Sequence, residues 1–118
     1  NPLACAVAKA ALEVVVEENL AINAEKLGAY FRNKMNEYIS KSDLVTLVRG
    51  KGLLNAIVIN DDEKSSTAWD LCVKMKMNGL LAKPTHGNII RFAPPLVINK
   101  EQLDTCIDII ISSIEEYS

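Results

Sequence analysis

Histidine and cysteine are scarce in this sequence, and each scarcity removes a class of function. There is one histidine, His86, with no second histidine and no cysteine beside it to share a metal. The three cysteines, Cys5, Cys72 and Cys106, are odd in number, widely spaced and free of any C-x-x-C pair. That argues against a disulfide framework and a zinc site and for reduced thiols in an intracellular protein. All three fall among apolar residues on helical segments, so each is expected to be a small buried hydrophobe. No Ser/His/Asp set stands in a recognisable motif context. A net charge of −2 offers no basic surface for nucleic acid or an anionic membrane. The longest apolar runs fall far short of the roughly 20 residues that span a bilayer.

What is present is ordinary globular composition. With 118 residues, 49% of them apolar and 24% charged, the chain makes about one domain and can bury a core. Asn1 and Pro2 open a helix at once, as N-cap and first helical residue. Its face is Ala4, Val7, Ala8, Ala11, Val14 and Val15, while Ala6 and Ala10 keep other sides small. A helix apolar over so much of its circumference calls for a partner surface. After Glu17-Glu18-Asn19, a second helix turns Leu20, Ala24, Leu27, Phe31 and Met35 inward, with Tyr38 or Ile39 at its end. Its charges, Glu25, Lys26, Arg32, Lys34 and Glu37, read as a solvated surface, and Gly28 marks a close contact.

Residues 44–48 and 53–59 are β-branched and aliphatic runs joined by Arg49-Gly50-Lys51-Gly52, which reads as two strands and a turn. That joint lacks the phosphate-loop pattern and leads into a strand. The acidic segment 60–66 lacks calcium-loop spacing and reads as a solvated loop. Ser66 or Thr67 caps a third helix to about Met77, with Ala68, Leu71, Cys72 and Met75 inward. Trp69 lies one step round it, at the edge of the core or against a partner. Asn78-Gly79 ends that helix. Asn99 caps a last one, striped by Leu103, Cys106, Ile107, Ile110, Ile111 and Ile114.

The stretch 79–98 organises the rest. Apolar runs 80–82 and 89–93 flank a turn-forming insert, 83–88, and the second run stops at Pro94-Pro95. The order helix, helix, strand, strand, helix, strand, strand, helix assembles as α+β: a small sheet of three or four strands covered by helices. Mixed pairing is expected, because a helix connects the second strand to the third. Arg91 sits in the centre of Ile-Ile-Arg-Phe-Ala, where an unpaired buried guanidinium is costly. Two readings stay open on physics alone. Arg91 either pairs with an internal carboxylate or offers its planar fork to a carboxylate ligand. Lys83 and His86, in the same hairpin, are weaker candidates for the periphery of such a site.

The segments Asn1-Pro-Leu-Ala-Cys-Ala-Val-Ala8, Val48-Arg-Gly-Lys-Gly-Leu-Leu54 and Ile90-Arg-Phe-Ala-Pro-Pro-Leu96 resemble the C-terminal domain of class III pyridoxal-phosphate aminotransferases. Gly52-Leu-Leu-Asn-Ala-Ile-Val-Ile59 and Gly79-Leu-Leu-Ala-Lys-Pro-Thr-His-Gly87 resemble the ornithine aminotransferase branch, and the likeness covers essentially all 118 residues. The resemblance implies one fold-type I small domain over 1–118. Helices in 1–38 would pack towards a missing large domain, and 44–118 would form the sheet-and-helix core. It also implies a homodimer, with active sites at the subunit and domain interface. Arg91 would bind the α-carboxylate of an amino-acid or keto-acid substrate. The Schiff-base lysine and the aspartate at the pyridine nitrogen would lie upstream, so this piece alone would hold no pyridoxal phosphate and be inactive. Lys83 does not match the Schiff-base motif.

The reaction implied for the whole enzyme moves the δ-amino group of L-ornithine to 2-oxoglutarate, giving glutamate 5-semialdehyde and glutamate. Acetylornithine and 4-aminobutyrate aminotransferases are the near alternatives. A free-standing anion-binding or dimerisation module is the distant one. The implied compartment is intracellular, either cytoplasm or mitochondrial matrix.

Overall fold

The computed structural model describes all residues, 1–118. The elements run α1 (Pro2–Glu17), α2 (Leu20–Ile39), β1 (Val45–Lys51), β2 (Leu54–Ile59), α3 (Thr67–Met77), β3 (Lys83–Thr85), β4 (Ile89–Phe92) and α4 (Lys100–Tyr117). This is the expected α+β arrangement of four helices and one small sheet. No helix is long and apolar enough to cross a membrane.

The helices begin where the sequence places their caps. The Asn1 carboxamide oxygen accepts from the amides of Leu3 and Ala4. At α4, Asn99 and Gln102 make a reciprocal capping box, satisfying two amides that the helix itself leaves free. Ser66 caps α3 differently: its hydroxyl bonds the Asp70 carboxylate rather than a helix amide.

The sheet order is β1-β2-β4-β3, and every neighbouring pair is antiparallel. This corrects the expectation of mixed pairing. The crossover through α3 does carry the chain back so that β3 runs in the direction of β2. Hairpin β3–β4 then places β4 between them, and no parallel pair forms. The third strand also lies three residues later than its apolar run suggests. Leu80 to Ala82 is irregular, and Lys83-Pro84-Thr85 pairs with β4 at the sheet edge. An edge strand can accommodate Pro84, which lacks an amide to donate.

One face of the sheet makes the core. Val48, Ile57, Ile90 and Phe92 point inward to meet Leu27, Phe31 and Met35 of α2, Leu71 and Met75 of α3, and Ile107, Ile110 and Ile114 of α4. The Phe31 and Phe92 rings pack tilted with centroids 5.8 Å apart. Across α2 and α4, the Tyr30 hydroxyl donates to Asp104 at 2.6 Å and Lys100 reaches the same carboxylate at 2.8 Å. Lys100 first, then Tyr30, holds the Asp104 carboxyl below its ordinary range.

Two expectations about burial fail. No residue of α1 is buried, so Cys5 is exposed rather than a core residue; Cys72 is buried and Cys106 half-buried. α1 packs chiefly against α2, leaving most of its circumference open. Arg32 is not simply solvated. It is half-buried, with one guanidinium nitrogen donating to the Gly52 carbonyl at 3.0 Å and to Asn55 Oδ1 at 2.9 Å.

Candidate functional site

Strand alternation decides where Arg91 points. In β4, Ile90 and Phe92 enter the core, and Arg91, between them, emerges on the opposite face and is exposed. The guanidinium is therefore not buried, and it has no internal ion pair or side-chain hydrogen bond. The four ion pairs of the chain join Lys9 to Glu13, Lys34 to Glu37, Lys74 to Glu116 and Lys100 to Asp104. The cost that argued for an internal carboxylate does not arise, because the residue's own strand turns it to solvent.

Register assembles the surroundings of Arg91. Lys83 lies opposite it on β3, Ala56 opposite it on β2, and Arg49 opposite Ala56 on β1. One row across the sheet thus reads Lys83, Arg91, Ala56, Arg49. Strand spacing sets Arg49 about 10 Å from Arg91 at the backbone, with only a methyl group between them. A shallow groove of about 290 Å³ lies there, bordered by Arg49, Lys51, Leu54, Ala56 and Arg91. None of the four strands contains an aspartate or glutamate. The groove is accordingly cationic.

Of the residues singled out from the sequence, Lys83 is thus brought beside Arg91. His86 is not. It sits at the tip of the β3–β4 turn, exposed, where it and Gly87 both take positive φ, 51° and 78°. That tip is held against the loop before α3. The Ile59 amide donates to the Asn88 carbonyl at 2.7 Å, and Gly87 rests on the Glu63 carbonyl so closely that a Cβ would clash. The hairpin carrying Arg91 is therefore braced at its turn. Its exit is braced as well: the Asn23 carboxamide donates to the carbonyls of Leu96 and Ile98 at 2.8 and 3.0 Å.

Sequence reasoning passed over Arg49, read as part of a turn. The signal available was its place in Val48-Arg49, an alternating pair at the end of an apolar run. A second hollow, of about 240 Å³, opens on the core side between Phe31, Leu53, Phe92, Pro95 and Cys106. It has no charged lining and suits no carboxylate.

Comparison with known proteins bears on the family and the fold. The family model for class III aminotransferases matches residues 1–114. The mitochondrial ornithine aminotransferase of Drosophila melanogaster is 59% identical over 114 residues, 97% of this chain and 25% of that protein. That of Rattus norvegicus is 54% identical over the same share of each. Among solved structures, acetylornithine aminotransferase from Elizabethkingia anophelis superposes with a TM-score of 0.96 and 66% identity, covering 98% of this chain and 30% of that one. The Toxoplasma gondii ornithine aminotransferase crystallised with oxidised glutathione, with partial occupancy of PLP at its active site, gives 0.86 and 44%, covering 99% and 28%. The chain spans about a quarter of the length of the curated relatives it matches. With its matched residues, its fold and its identities agreeing, the chain belongs to the class III aminotransferases.

Proposed function

We propose that this chain is the small domain of an ornithine aminotransferase and that Arg91 receives the α-carboxylate of its substrates. The observation that carries the reading is the Arg91 guanidinium, exposed on the open sheet face without a protein anion and bordering a cationic groove. A planar guanidinium binds a carboxylate through two parallel hydrogen bonds, which fixes orientation as well as position. Lys83, one strand away, adds positive potential without competing for the same geometry. His86, at the hairpin tip, contributes at most to the rim of the site.

The pyridoxal phosphate expected of the family does not fit these residues alone. Lys83, the lysine opposite Arg91, is exposed on an edge strand and has a cation as its register partner. No step through the cofactor is assigned to this chain. The cofactor, with the lysine that carries it, belongs to the rest of the polypeptide, and the working enzyme is a homodimer. Its overall reaction exchanges the δ-amino group of ornithine for the keto oxygen of 2-oxoglutarate. The mitochondrial names of the curated relatives favour the matrix, with the cytoplasm as the other compartment.

Acetylornithine as amino donor is the second reading, favoured by the 66% identity to the Elizabethkingia anophelis structure. An amino-donor screen on the full-length enzyme separates the two. Turnover of ornithine in preference to N-acetylornithine supports the first, and the reverse order overturns it.

A further inference from the structure

Between Phe92 at the end of β4 and Asn99 at the cap of α4, residues 93–98 lie outside any strand or helix. Pro94 and Pro95 have no amide hydrogen, so the segment is short of donors that could fasten it. Its one internal backbone bond runs from the Ile98 amide to the Pro95 carbonyl at 3.1 Å. Only two hydrogen bonds tie it to another element, and Asn23 donates both, to the carbonyls of Leu96 and Ile98. Ile98 is also buried in the core, but apolar packing is non-directional and does not by itself set a register.

The Asn23 side chain is matched to these two carbonyls. It stands half-buried in the first turn of α2, beside the inward-facing Ala24. A carboxamide NH2 carries two hydrogens, and here it meets one carbonyl at 2.8 Å and the other at 3.0 Å. The same helix carries a second clamp, Arg32, which holds Gly52 and Asn55 at the β1–β2 turn. α2 therefore fastens both segments that border the cationic groove, the β1–β2 hairpin and the exit of β4. Register matters at Arg91. β4 has only four residues, and a slip of one would turn Arg91 into the core and Ile90 and Phe92 to solvent. The turn end of β4 is held through Gly87 and Asn88, and its exit through Asn23.

We propose that Asn23 is a positioning residue of the carboxylate site: by fastening Leu96 and Ile98 to α2, it fixes the reach of Arg91 towards the substrate. The inference rests on the reading of Arg91 as a carboxylate ligand and extends that site to the first turn of α2. Without the two bonds, the Pro94-Pro95 exit can shift along the strand direction and carry Arg91 with it. A bidentate guanidinium contact is sensitive to such a shift, because both of its hydrogen bonds must align at once. Asn23 itself touches no substrate and acts through Arg91.

Steady-state kinetics of the full-length holoenzyme with 2-oxoglutarate, at saturating ornithine, test this. Asn23→Leu removes both donors at similar volume and should raise the KM for 2-oxoglutarate about tenfold, with kcat changed less than about twofold. Asn23→Gln keeps the NH2 group and should restore most of the affinity. In Arg91→Ala no guanidinium is left to position, so adding Asn23→Leu should shift KM by less than about twofold. A merely structural Asn23 would lower the active fraction, and with it kcat, and leave KM unchanged. That result overturns the inference, as does a tenfold effect that persists in the Arg91→Ala background. Should Asn23→Leu fail to fold, Asn23→Asp turns an oxygen towards the same carbonyls and gives the same comparisons. An unchanged KM in Arg91→Ala alone removes the carboxylate reading and Asn23 with it. An unchanged KM in Asn23→Leu beside a raised one in Arg91→Ala removes Asn23 alone.

Discussion

Gly28 of α2 rests directly on Gly52 of the β1–β2 turn: a Cβ on residue 28 would stand 1.8 Å from the Gly52 carbonyl oxygen. The contact is backbone on one side and has no flexible end that can yield. Gly28→Ala should therefore push α2 off the turn, with an overpacking cost of about 1–3 kcal/mol. Gly79→Ala is the contrast, because no atom lies within 4 Å of a Cβ there and only its φ of +98° is unfavourable. That substitution should cost about 1–2 kcal/mol from backbone conformation alone. Hydrogen exchange in the full-length polypeptide checks both. Gly28→Ala should speed exchange in α2 and the β1–β2 turn, and Gly79→Ala only near the end of α3.

Arg32 fastens the same turn through its bonds to Gly52 and Asn55. Arg32→Met keeps the aliphatic stem and removes both donors. Asn55, only 3% exposed, then loses the partner of its Oδ1. The expected loss is about 1–3 kcal/mol, read as faster exchange at β1 and β2 amides with α3 unaffected. Unchanged protection in β1 and β2 would show that the bonds add nothing.

For Arg91, removal of a charge-assisted bidentate contact should cost about 2–3 kcal/mol, or about 30- to 150-fold in kcat/KM. Arg91→Ala in the full-length enzyme should show this for 2-oxoglutarate, whose α-carboxylate adjoins the reacting carbon, chiefly through KM. Wild-type kinetics for 2-oxoglutarate would remove Arg91 from the site.

The cysteines differ in reactivity for a physical reason. Burial pushes the Cys72 thiol up to about 11 and raises that of Cys106 as well, so both stay protonated near neutral pH. Cys72 should resist alkylation at pH 8. Rapid loss of the free Cys72 thiol under native conditions would contradict its placement in the core.

A pH consequence follows with a definite sign. Above pH 9 the unfolded Cys72 thiol ionises while the folded one keeps its proton until about 11, so stability falls as pH rises through that window. Tyr38, raised by burial and then by Glu115, acts in the same direction. Thermal midpoints taken from pH 8 to 11 should decline, and Cys72→Ala should flatten part of the slope.

The sequence by itself determined the helices, because their stripes and caps are local. Asn99 with Gln102, or Leu103 with Ile107 and Ile110, need only the 3.6-residue period to be recognised. It also singled out Arg91, an isolated cation in an apolar strand. Tertiary structure alone decided what Arg91 faces. Alternation shows which residues share a face of one strand, but not which strand lies alongside. That is why Arg49, 42 positions earlier in the numbering, entered the row through Ala56 only once the order β1-β2-β4-β3 was known. Arg32 shows the same limit. Four residues after Gly28, it shares the face that meets the turn, yet its bonds to Gly52 and Asn55 exist only because α2 packs there. Local periodicity set the elements, and non-local pairing placed the charges.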